Sequence, residues 1–155
     1  MDLGVLAVEG ISAFGASLFF SLSLRGPRRT LIAASALGMA GQVIYSALKA
    51  PLGDNTAVLI ATFAICIAAE LFSRPLKAPV TVISFPAVIP LVPGVMLYRT
   101  MLCFSQGRYE DGTDEILRTV IYAGCMAIAI SVAAMISKNF FPLIFRDGKK
   151  RTTYR

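Results

Sequence analysis

The chain has 155 residues, 56% hydrophobic and only 15% charged, with a mean hydropathy of +0.71; soluble domains carry about 25% charged residues, so the composition is that of an integral membrane protein. The formal charge of +6 does not imply nucleic acid, because the basic residues lie between apolar spans and in a terminal tail, as positive-inside topology arranges them. There is no histidine, which excludes an imidazole-built zinc centre and a His-dependent nucleophilic triad.

The first apolar stretch, residues 3–24, is read as a spanning helix rather than a removable leader, since Met1-Asp2 opens it without basic residues. It carries Glu9 near one end and many small residues that permit close helix approach. Arg25-Gly26-Pro27-Arg28-Arg29 ends it as a cytoplasmic turn. Residues 30–48 form the second span, with Gln42 and Tyr45 as its polar members. After the turn Pro51-Leu52-Gly53-Asp54-Asn55 comes the third span, residues 56–73, with Glu70 near its end and Arg74-Pro75-Leu76-Lys77 beyond. Cys66, Cys103 and Cys125 are solitary within apolar runs and read as packing residues, with no disulfide or metal role.

The fourth segment, residues 80–104, is long enough to cross a bilayer but contains Pro86, Pro90, Pro93 and Gly94. Prolines remove backbone donors from a helix interior, so the segment is expected to be two half-helices meeting at a break. Residues 80–92 would rise roughly 20 Å as helix against a hydrocarbon core of about 30 Å, so neither half spans alone. If the segment crosses, the acidic loop 105–115 faces outward. The last span, residues 116–136, then delivers Arg146, Lys149, Lys150, Arg151 and Arg155 to the cytoplasm. A re-entrant segment would put those five basic residues outside. The positive-inside rule favours crossing, giving an all-α membrane domain of about five segments over residues 1–155, amino terminus outside and basic tail 146–155 cytoplasmic. No clear internal repeat stands out.

Broken backbone in lipid is tolerated only where protein or a water-filled cavity satisfies it, which makes the break the first place to seek function. Proline at the start of the second half-helix leaves free amides and a positive dipole end, an arrangement that attracts a carboxylate. Pro90, Pro93 and Gly94 are therefore candidate binding residues, with Tyr98 and Arg99 about one turn beyond. Arg99 reaching the outer interface and Tyr98 simply packing are the alternatives. Glu9 and Glu70 are the proton-coupling candidates, since a carboxylate in a span usually pairs or serves a pathway. For Glu70, pairing with Arg74 one turn away is the competing role.

Pro79-Val80-Thr81-Val82, then Ile89-Pro90-Leu91-Val92-Pro93-Gly94 and Tyr98, resemble the signature of the threonine/serine exporter family. Chain length, the basic turn after the first helix and the basic tail make the chain similar to its small, YjjB-like subunit over about residues 3–150. The resemblance implies a bacterial inner-membrane exporter of small carboxylate-bearing metabolites, threonine and serine or succinate, working with a larger membrane subunit and without a cofactor. Pro90, Pro93 and Gly94 match the motif. Two other classes stay open: a non-transporting scaffold that stabilises the larger partner, and a homo-oligomeric channel. A membrane enzyme is disfavoured by the lack of histidine and of paired acids at catalytic spacing.

Overall fold

The computed structural model describes residues 3–145 and the side chains of residues 4–139; the basic tail expected to face the cytoplasm lies outside the described residues. The helices are α1 (Leu3–Ser23), α2 (Arg28–Leu52), α3 (Asp54–Leu76), α4 (Val80–Val88), α5 (Gly94–Ser105) and α6 (Tyr109–Phe145), with a 3-10 turn (Ile89–Leu91) after α4. No strand occurs among the described residues. Four of these helices are long and apolar enough to cross a membrane, or five spans result if the bent pair counts as one.

α2 packs between α1 and α3, while α4 and its 3-10 turn lean on this layer and α6 packs against α3. Hydrocarbon gives helices little hydrophobic reason to associate, so the contacts depend on close approach of small surfaces. α2 supplies them: a Cβ at Gly38 would come within 2.0 Å of Ser17 Oγ of α1, and one at Gly41 within 2.0 Å of Ile65 Cδ1 of α3. Ala34, Ala57, Ala61, Ala69 and Ala87 are fully buried around the same junction, with Ile65, Ile83 and Leu91 as its large members.

The turns α1–α2 and α3–α4 have one design. Phe20-Ser21, Leu24-Arg25-Gly26-Pro27 in the first correspond to Phe72-Ser73, Leu76-Lys77-Ala78-Pro79 in the second. In each, a basic residue adopts the left-handed conformation, Arg25 at φ 54 and Lys77 at φ 48. The next amide bonds back to the buried serine's carbonyl, Gly26 N to Ser21 O at 3.0 Å and Ala78 N to Ser73 O at 3.1 Å. This closes a Schellman motif whose usual glycine is replaced by a cation. The prolines then hold the same extended geometry, Pro27 at φ −58, ψ 139 and Pro79 at φ −57, ψ 139, and start α2 and α4. A short repeated element is thus present although no repeat is evident along the spans, because it resides in turn residues and not in helix patterning.

The fourth segment divides as the prolines require. α4 with its 3-10 turn and α5 meet at a bend of 49°, so the chain changes course without doubling back. α5 packs on α6. The expected acidic loop 105–115 is mostly helical instead: only residues 106–108 form the turn, and α6 begins at Tyr109. Glu110 and Asp111 in its first turn complement the helix dipole. Gly112 lets the Phe104 ring lie across that turn, where a Cβ would come within 2.8 Å of it.

Candidate functional site

The break lies halfway along the bundle. Leu91 Cδ1 is 3.8 Å from where a Gly41 Cβ would stand, and Gly41 is near the middle of the 25-residue α2. Val92 N donates to Ile89 O at 3.1 Å, ending the 3-10 turn, and Gly94 N donates to Val92 O at 2.7 Å. With Pro93 at φ −74, ψ 53, that bond makes an inverse γ-turn. The first amide of α5 is therefore used within the break. The free donors are the next ones, Val95 and Met96, which find no backbone acceptor before Leu97 N reaches Pro93 O at 3.1 Å. No side chain caps α5. Pro90 and Pro93 are half-buried, Gly94 is exposed, and nothing lies within 4 Å of a Cβ placed on Gly94.

A groove leads to the break. α4 and α6 both pack on α3, and between them run two adjoining cavities of about 370 and 630 Å³ that share Cys66, Ser84, Phe85 and Ile130. One reaches Val88, Ile89 and Val92 at the break. The other ends among Glu70, Arg74, Ser137 and Lys138. The path is thus apolar where it meets the break and polar at the basic end.

The two candidate carboxylates lie at opposite ends of the bundle. Glu70 forms an ion pair with Arg74 at 3.7 Å, one turn along α3, and lines the polar end of the groove. Glu9 accepts a hydrogen bond from Ser46 Oγ, joining the start of α1 to the end of α2. It borders a separate cavity of about 320 Å³ with Gln42, Tyr45 and Lys49. Neither carboxylate meets the break.

Tyr98 and Arg99 point elsewhere. Tyr98 is 67% exposed, because the side of α5 that turns inward is the one carrying Thr100 and, more partially, Met96 and Cys103. Arg99 lines an open cavity of about 310 Å³ with Arg108, Arg118, Asp111, Asp114 and Glu115, at the α5–α6 turn. It stands five positions beyond Gly94, enough rotation to carry its guanidinium toward the acids of α6.

Sequence reasoning missed a polar cluster that joins three helices. Tyr45 Oη donates to Asp54 Oδ1 at 3.2 Å, Lys49 pairs with the same carboxylate at 3.2 Å, and the Tyr45 ring meets the buried Tyr122 ring edge-on at 6.3 Å. The four-residue spacing of Tyr45 and Lys49, one turn of α2, was the available signal.

Residues 9–136 match the model of a family described as Threonine/Serine exporter, ThrE. No curated protein and no solved structure matches the chain.

Proposed function

The chain belongs to the threonine/serine exporter family, and from that premise we propose that it is one subunit of a secondary exporter that moves a small carboxylate-bearing metabolite, an amino acid such as threonine or serine or a dicarboxylate such as succinate, out across a bacterial inner membrane. The observation that carries this reading is the groove that starts at Glu70 and ends at the break halfway along the bundle. An exporter needs a path from one side to a site near the midplane, and half-helix starts at that depth suit carboxylates.

At the break, the Val95 and Met96 amides and the positive end of α5 receive the carboxylate, with Pro93 and Gly94 shaping the approach. Glu70, at the other end of the groove, is the proton-coupling candidate, and Glu9 is the weaker one because it lines neither cavity of the groove. In this reading Arg99, set among the acids of α6, serves the far mouth, and the exposed Tyr98 has no part in the path. The basic turns and tail face the cytoplasm and the amino terminus faces out.

The groove is half-open between α4 and α6, so one copy does not enclose a path. A larger membrane subunit of the same family, or further copies of this chain, supplies the missing wall. The same openness favours a second reading, a non-transporting scaffold whose groove receives a helix of the larger subunit. Export and counterflow in cells carrying both subunits separate the two. Loss of flux in Gly94→Leu with the complex intact supports transport through the break; unchanged flux removes it.

A further inference from the structure

The α1–α2 turn, where it meets the start of α4, borders a half-open cavity of about 160 Å³ walled by Ser21, Arg25, Pro27, Thr81 and Val82. Two helix starts converge there. α2 begins after Pro27 and α4 after Pro79, and neither has a side-chain cap because the proline ring carries no acceptor. In each, only the third amide is satisfied locally, Thr30 N to Pro27 O at 2.8 Å and Val82 N to Pro79 O at 3.1 Å. The amides of Arg28, Arg29, Val80 and Thr81 therefore have no backbone acceptor among the described residues. Of these four residues Thr81 alone lines the cavity, and the two uncapped starts act on it through their positive dipole ends.

A buried side chain gives the independent sign of a ligand. Ser21 is fully buried and part of the cavity wall, and its Oγ has no hydrogen-bond partner. Its counterpart in the repeated turn, Ser73, has the same backbone setting but donates to Glu70 O at 2.8 Å. A buried hydroxyl without a partner is costly, and the standard remedy, bonding back to its own helix, is used at Ser73 and not at Ser21. Gly26 makes the approach possible: a Cβ there would come within 3.0 Å of Ser21 Oγ. The cation next to it, Arg25, is held in the left-handed region, where a side-chain-bearing residue is strained and glycine is not.

We propose that this cavity is an oxyanion site, taking a carboxylate or a phosphate between the starts of α2 and α4, with Ser21 Oγ and the Thr81 hydroxyl as donors and Arg25 as counter-charge. Its size suits a short carboxylic acid or a phosphate group. The site is separate from the helix break and stands whether or not the break carries cargo. In an exporter it would gather the anion at the basic end before the anion moves inward.

The test uses the full chain in nanodiscs of neutral phosphatidylcholine, titrated calorimetrically with succinate and with inorganic phosphate. Two variants are chosen to keep the fold. Arg25→Gly removes the charge while relieving the strained backbone, and Ser21→Ala removes a hydroxyl that bonds to nothing in the protein. Saturable binding weakened about tenfold in each, with melting temperature unchanged or raised, supports the site. Equal affinity in the variants and the parent overturns it, as does the absence of binding in both this arm and the lipid arm. The lipid arm uses discs containing phosphatidylglycerol and reads the lipid retained by the chain in native mass spectrometry. Retention lost in both variants assigns the oxyanion to a headgroup; retention unchanged in them, with no binding of the soluble anions, overturns the site. Neither arm measures flux, so failure here leaves export through the break standing, and failure of export leaves this site standing.

Discussion

Ser17 Oγ of α1 fills the space that Gly38 of α2 leaves open, within 2.0 Å of where a Cβ would be. Gly38→Val should therefore force the two helices apart and lower stability by about 1–3 kcal/mol, the usual cost of overpacking. Thermal unfolding in detergent reads this. Ser17→Gly in the same chain should restore part of the loss, because the two positions share one space and their effects do not add. An unchanged melting temperature in the single variant would show that the α1–α2 contact is looser than described.

Gly94 gives the opposite case. A leucine there has open space to occupy, so Gly94→Leu should stay within about 0.5 kcal/mol of the parent in stability. Flux should nevertheless fall at least tenfold, because the new side chain stands over the Val95 and Met96 amides. Stability and flux falling together would point to misfolding and not to a lost site.

The groove can be probed from within. Ser84 lines both of its cavities, so Ser84→Cys, in a chain whose three cysteines are replaced by alanine, should react with a charged maleimide added to inside-out vesicles. Saturating cargo should slow that reaction several-fold. Labelling that is indifferent to every cargo tried would take the groove out of the path.

Glu70→Gln removes a carboxylate that pairs with Arg74 at 3.7 Å. If Glu70 couples transport to protons, the variant should lose acceleration by a pH gradient yet keep counterflow at equal pH. If Glu70 only anchors the end of α3, both assays should survive with a small loss of stability, about 0.3–0.5 kcal/mol for such a pair.

Much of the architecture was legible because proline acts locally. Pro90 and Pro93 divide the fourth segment wherever the rest of the chain goes, and the Arg25–Pro27 turn announces itself by composition. The site was less legible, since direction around a helix axis depends on neighbours. Placing Tyr98 and Arg99 one turn beyond Gly94 says nothing of which side of α5 faces α6, and packing turned both away from the break. The Gly94 amide, expected to be free, is taken by Val92 O because the Pro93 dihedral angles close a γ-turn. The acidic stretch 109–115 looked like a loop by charge alone, yet Glu110 and Asp111 are what a helix start favours.

α6 runs from Tyr109 past Lys138 with no proline between them, about 44 Å of unbroken helix. Near its middle the Tyr122 ring is lodged against Tyr45, while Lys138 lies at the Glu70 end of the groove and Arg118 at the acidic mouth. α3 and α5 also pack against this helix, so any tilt of α6 must slide across both contacts as one stiff body. A tilt of about 5° about Tyr122 would carry the Lys138 end by about 2 Å and swing the Asp111 end the opposite way. Spin labels on the two arms of α6 should then report distance changes of opposite sign to α2.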